Sequence, residues 1–127
     1  MYQAHAPKQP SNEPGFILAK ATIRAATLLG ITGRHLAEVI GSSESTVSRV
    51  ASGERPLPPE SKPGQMAALV VRIYRSLDAL VGNDGDQRMR WISSYNDALH
   101  AVPKEAMLTP EGLVRVVTYL DGARALA

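Results

Sequence analysis

The sequence predicts an all-α fold, and three observations carry that expectation. Apolar residues recur at three- and four-residue spacing along most of the chain. No segment alternates with period two over more than a few residues, as a half-buried strand would. Aromatics are 5% of the 127 residues, so the core must be aliphatic and rich in Ala, which suits helix packing better than a β-sandwich. Short Val runs are then helical residues that packing places against their strand preference. The length suffices for one compact domain or two small helical modules sharing a core.

About six helices are expected. Residues 1–14 carry Pro7, Pro10 and Pro14 among polar residues and read as a disordered arm. From Gly15 to Leu29, the residues Ile17, Leu18, Ala21, Ala25, Leu28 and Leu29 form one stripe, which Gly30 ends. Thr32 caps the next helix, which runs to about Ile40 with Leu36, Ala37 and Ile40 inward. Gly41 supplies a residue that tolerates positive φ. Ser42 or Ser43 caps a third helix with Val47 and Val50 inward, ended by Gly53. Residues 54–64 hold four Pro and read as a stiff linker, which divides a 15–62 module from a 63–127 module.

The second module begins with the most periodic stretch, from Met66 through Leu69, Val70, Ile73, Leu77 and Leu80 to Val81. Val71 and Tyr74 widen that stripe beyond one core face, which suggests part of a homodimer seam. Residues 82–86 form a turn cluster. Residues 87–100 read as a helix with Ile92, Tyr95 and Leu99 on one face, and Trp91 reads as core. Val102 to Leu108 reads as a connection. Thr109-Pro110-Glu111 has the order of a helix start: cap, Pro at the first position, acid in the first turn. Leu113, Val116, Val117 and Leu120 are its buried stripe, and Gly112 implies a close backbone approach.

Composition narrows the chemistry. There is no Cys, which excludes disulfide scaffolds, Cys-based zinc fingers and thiol catalysis. His5, His35 and His100 share no ligand spacing, so no metal or catalytic site is expected and no cofactor is implied. His35 reads as a surface residue beside nucleic acid. No run of 18 apolar residues occurs, so a cytoplasmic protein with no membrane partner is expected. Net charge is +2: residues 1–62 hold seven Lys/Arg and five Asp/Glu, whereas residues 63–127 hold seven of each. The small surplus in the first half is compatible with nucleic acid.

The segment from Leu36 to Arg49 has the physics of a helix-turn-helix. Ala37 is small where two helices cross, Gly41 makes the turn, and Val47 locks the second helix onto the first. The exposed face then carries Ser43, Ser45, Thr46, Ser48 and Arg49, short groups that reach phosphates and base edges at a helix N-terminus. An ordinary helical hairpin with a polar face has some of these features. The joint occurrence of Leu36-Ala37, Gly41, Ser43, Val47-Ser48-Arg49 and Gly53 is more specific, and it resembles the Xre/Cro-type helix-turn-helix. Gly33 stands where many members carry Gln, leaving Arg34 as the neighbouring phosphate anchor. The resemblance implies operator DNA as a partner, bound by a symmetric dimer.

A second set follows in order: Trp91-Ile92, Asn96, Ala98-Leu99, Pro103, Thr109 to Leu113, Val116-Val117 and Tyr119 to Asp121. It is similar to the toxin-binding domain of the Xre/MbcA/ParS antitoxins. His100-Ala101-Val102 fill a space where that family often has Gly. Asn96 is expected to brace this loop. The two resemblances cover roughly residues 15–127. They imply an antitoxin of a type II pair that neutralises a RES-domain, NAD-degrading toxin and represses its own operon. They also imply that the C-terminal end meets the toxin, which places Tyr119, Asp121, Arg124, Leu126 and Ala127 there. Arg124 equally fits a solvated charge that suits the helix dipole. Two alternatives stay open: a stand-alone repressor with a helical dimerisation domain, and an interaction module whose helix-turn-helix no longer touches DNA.

Overall fold

In the computed structural model, which describes residues 13–126, α1 (Pro14–Leu28) begins with Pro at its first position. The expected arm therefore lies outside the described residues up to residue 12, while Pro14 already belongs to a helix. Ala19, Thr22, Ala25 and Ala26 are its buried face, small enough for close helix approach. Thr22 hides its hydroxyl by donating to the Leu18 carbonyl at 2.7 Å.

Next comes α2 (Gly33–Ile40), whose first turn is capped by Thr32 Oγ1 accepting from the His35 amide at 3.1 Å. Gly41 closes it at φ +72°, and Ser42 N donates back to Ala37 O at 2.8 Å. Ser43, not Ser42, caps α3 (Glu44–Ala51) by accepting from Thr46 N at 3.1 Å. The Pro-rich stretch after α3 is docked on the fold. Leu57 is buried, and its amide donates to Gly15 O at 2.9 Å.

The long central helix is α4 (Lys62–Val81), with Ser61 as cap and Gly82 as the left-handed stop. It packs on α1 and α2 on one side and on α7 on the other, and α5 leans on it too. That double duty explains its wide apolar stripe. Val70, Val71, Ile73 and Leu77 are all buried within the chain, and Tyr74 is half-buried against the same core. The width read as a dimer seam is thus used by intramolecular packing.

The second half departs from expectation between residues 94 and 106. α5 (Gly85–Ser93) ends at Ser93 instead of running to His100. Residues 94–101 form a loop held by backbone bonds from Asn96 N to Ala101 O at 2.9 Å and from Ala101 N to Asn96 O at 3.4 Å. Asn96 Oδ1 also accepts from Leu99 N at 3.1 Å, so Asn96 braces the loop as expected. His100 sits at φ +53°, a left-handed position that disfavours side chains. Tyr95 is therefore exposed, while Ile92 and Leu99 are buried. The expected connection contains a short helix, α6 (Pro103–Ala106), before α7 (Pro110–Leu126). Thr109 caps α7 by accepting from Gly112 N at 3.1 Å. A Cβ at Gly112 would stand 1.9 Å from the Ala106 carbonyl oxygen, which is the close approach read from the sequence. Among the described residues there are seven helices and no strand.

Candidate functional site

Two exposed regions hold the candidate residues. The first is the outer face of α2 and α3. Val47 and Val50 are buried, anchoring α3, so the opposite side carries Ser45, Ser48 and Arg49 into solvent, with Ser43 at the cap. Arg34 stands exposed on the first turn of α2 and makes no ion pair or side-chain hydrogen bond among the described residues. Its position beside a helix N-terminus suits an anion. Thr46 is half-buried, and its hydroxyl is held by two exposed neighbours. Ser43 Oγ donates to Thr46 Oγ1 at 2.9 Å, and Arg55 Nη1 donates to the same oxygen at 3.2 Å.

Arg55 was missing from the sequence reading. It lies in the stretch read as linker, and its return to α3 depends on the turn at Gly53, which sits at φ +85°. Two bonds to the Arg49 carbonyl hold that turn, from Glu54 N at 2.9 Å and Arg55 N at 3.3 Å. The only available signal was a Gly two residues ahead of a basic residue. His35 also stands elsewhere than expected. Half-buried, it donates from Nε2 to the Lys104 carbonyl at 2.8 Å, joining α2 to α6 instead of facing outward.

The second region is the outer side of α7. Tyr119 is exposed and stacks on Trp91, with ring centroids 6.1 Å apart and planes at 24°. Trp91 is half-buried, so it forms the back of a surface aromatic pair and is not enclosed in the core. Asp121 accepts from Arg72 Nη2 at 2.5 Å and from Arg72 Nε at 3.4 Å, which ties α7 to α4. Arg124 lies one turn further on in the same shallow cleft, exposed and without an ion pair among the described residues. Leu126 is 90% exposed. Ala127 lies outside the described residues. Among the described residues, no group of three or more His, Cys, Asp or Glu is placed to hold a metal ion. No helix among them is long and apolar enough to cross a membrane.

Asp84, which had read as part of a solvated turn, caps α5. Its Oδ1 accepts from Asp86 N at 3.0 Å and Gln87 N at 3.1 Å. Arg88 on the same helix is buried and reaches α1 and α4.

Comparison with known proteins agrees with this division. No curated protein matches the chain. Residues 17–72 match a family described as the antitoxin Xre-like helix-turn-helix domain. Residues 76–125 match one described as the antitoxin Xre/MbcA/ParS C-terminal toxin-binding domain. The first match covers α1 to α3 and the first half of α4, and the second covers the rest of the fold. With a helix-turn-helix match over residues 17–72 followed by a toxin-binding-domain match over residues 76–125, the chain belongs to the Xre/MbcA/ParS antitoxin family.

Proposed function

We propose that this antitoxin neutralises a RES-type toxin that degrades NAD, and that it represses its own operon by binding operator DNA. The observation that carries the reading is the pairing of an Xre-like helix-turn-helix match with a toxin-binding match on one chain. On the DNA side, Arg34, Ser45, Thr46, Ser48 and Arg49 make the contacts, as a symmetric dimer on a palindrome, and Ser43 serves that face as the cap of α3. On the toxin side, Tyr119, Arg124 and Leu126 face the partner, with Ala127 beyond them. Asp121 acts mainly by holding the α7 end in place through Arg72. The free Arg124 guanidinium suits a pocket built for an anionic dinucleotide. The protein works by occupying sites and performs no chemistry of its own.

Co-expression with the toxin encoded beside it tests this. The full chain should rescue growth, copurify with that toxin and keep cellular NAD at the level of toxin-free cells. Truncation after Leu120 should abolish rescue and leave DNA binding intact. Among the described residues it removes only exposed or half-buried ones and one surface ion pair, an interaction worth roughly 0–1 kcal/mol. A neighbouring frame that encodes no toxic protein, together with intact DNA binding, would turn the reading into a stand-alone repressor.

A further inference from the structure

We propose that Arg55 is a specificity-determining residue for DNA, because it fixes which hydrogen-bonding role each hydroxyl on α3 presents. The inference rests on the DNA-binding reading above. The ligand is set by the helix-turn-helix match over residues 17–72, and the polarity is set by the bonds.

A hydroxyl has one hydrogen to give and two lone pairs that accept. Thr46 Oγ1 accepts from Ser43 Oγ at 2.9 Å and from Arg55 Nη1 at 3.2 Å. Both lone pairs are filled, and its own hydrogen has no partner in the fold. Thr46 therefore meets DNA only as a donor. Ser43 Oγ spends its hydrogen on Thr46, and it accepts from Thr46 N at 3.1 Å. The contact of 3.2 Å between Ser43 Oγ and Ser45 Oγ must then run from Ser45 to Ser43. Ser45 has given its hydrogen away and presents only lone pairs.

The two exposed roles are opposite, and duplex DNA distinguishes them. Guanine, thymine and adenine all show an acceptor in the major groove, whereas cytosine shows only its amino donor. A donor-only Thr46 thus rejects cytosine at the base it faces. Phosphate oxygens accept and never donate, so Ser45 gains nothing from the backbone and favours the amino groups of adenine or cytosine. Arg55 keeps its remaining N–H groups exposed beside this cluster, where they suit a phosphate. It is a positioning residue for Thr46 and a backbone contact in its own right.

Site selection from a randomised DNA duplex pool tests the assignment, using full-length wild type, Arg55→Met, Arg55→Lys and Ser45→Ala. Circular dichroism first establishes that each variant folds; both positions are exposed. Wild type should select a motif with one position depleted of cytosine. Arg55→Met frees a Thr46 lone pair, so cytosine should rise there about fivefold, the worth of one net hydrogen bond. Arg55→Lys keeps a donor and should select as wild type does. Ser45→Ala should lose the adenine or cytosine preference at a neighbouring position. Equal base preferences for wild type and Arg55→Met, with only a uniform loss of affinity, would overturn the proposal and leave Arg55 as a phosphate contact. A wild type that enriches no sequence would overturn the DNA-binding reading, and the proposal with it.

Discussion

The Arg88 guanidinium donates from Nε to the Leu28 carbonyl at 3.0 Å and from Nη1 to Asp78 Oδ1 at 2.7 Å. It also lies 5.5 Å from the centroid of the Tyr74 ring. One side chain thus closes the C-terminus of α1, pairs a carboxylate on α4 and caps an aromatic face, all at 9% exposure. Removing it strands Asp78, whose side chain is only 20% exposed. Arg88→Met should therefore cost about 3–5 kcal/mol in urea unfolding. Adding Asp78→Asn should recover part of that loss, because the uncompensated charge goes too. Ser76 presents the opposite case. Its hydroxyl is buried without a hydrogen-bond partner among the described residues. An unmade bond of this kind costs about 1–3 kcal/mol, and Ala is also the better helix former. Ser76→Ala should stabilise the protein by about 1 kcal/mol and raise Tm by roughly 3–6 °C. An unchanged or lower Tm would mean that the hydroxyl is satisfied in solution.

At the scale of elements, α7 depends on how closely α6 approaches it. Gly112 gives no side chain at a point where a Cβ would stand 1.9 Å from a backbone carbonyl. A backbone oxygen cannot rotate away, so the about 1 kcal/mol of helix propensity gained by Ala is outweighed. Gly112→Ala should destabilise by about 2 kcal/mol or more in the same measurement, despite replacing a poor helix former with the best one. The sequence made this point legible, because Gly in a helix interior needs a packing reason. Helix caps and turns were equally legible, since Thr32, Gly41, Ser43 and Thr109 act locally. The loop after α5 was not. Ile92, Tyr95 and Leu99 keep helical spacing into it, yet buried Leu99 donates its amide to Asn96 Oδ1 and accepts from Arg115 at its carbonyl. Those partners sit in the loop itself and on α7, beyond the reach of a periodicity argument. Arg55 and His35 escaped for the same reason, since each makes its defining contact with a different segment of the chain.

For the whole molecule, the central helix decides what remains for a partner copy. The two family matches meet within α4, and His35 bonds to Lys104 across the same divide. Both halves therefore share one core, and the exposed face of α4 carries Gln65, Ala68, Arg72, Arg75 and Ala79, not a broad apolar seam. Operator binding as proposed calls for a dimer, because one helix-turn-helix module covers only about 600–1,000 Å² and reads one half-site. The apolar surface left beside the recognition helix is on α1. Ile17 is 52% exposed there, next to a groove of about 510 Å³ between α1 and α3 lined by Phe16, Ile23, Val50 and Ala51. Light scattering at DNA-binding concentrations should give twice the 13.6 kDa chain mass. Ile17→Glu should halve it while leaving the circular dichroism spectrum unchanged, because an exposed charge costs the monomer little. The same variant should bind a single half-site as wild type does and lose the gain from the second. A wild-type monomer bound tightly to a full palindrome would place the selectivity in one copy and remove the need for any seam.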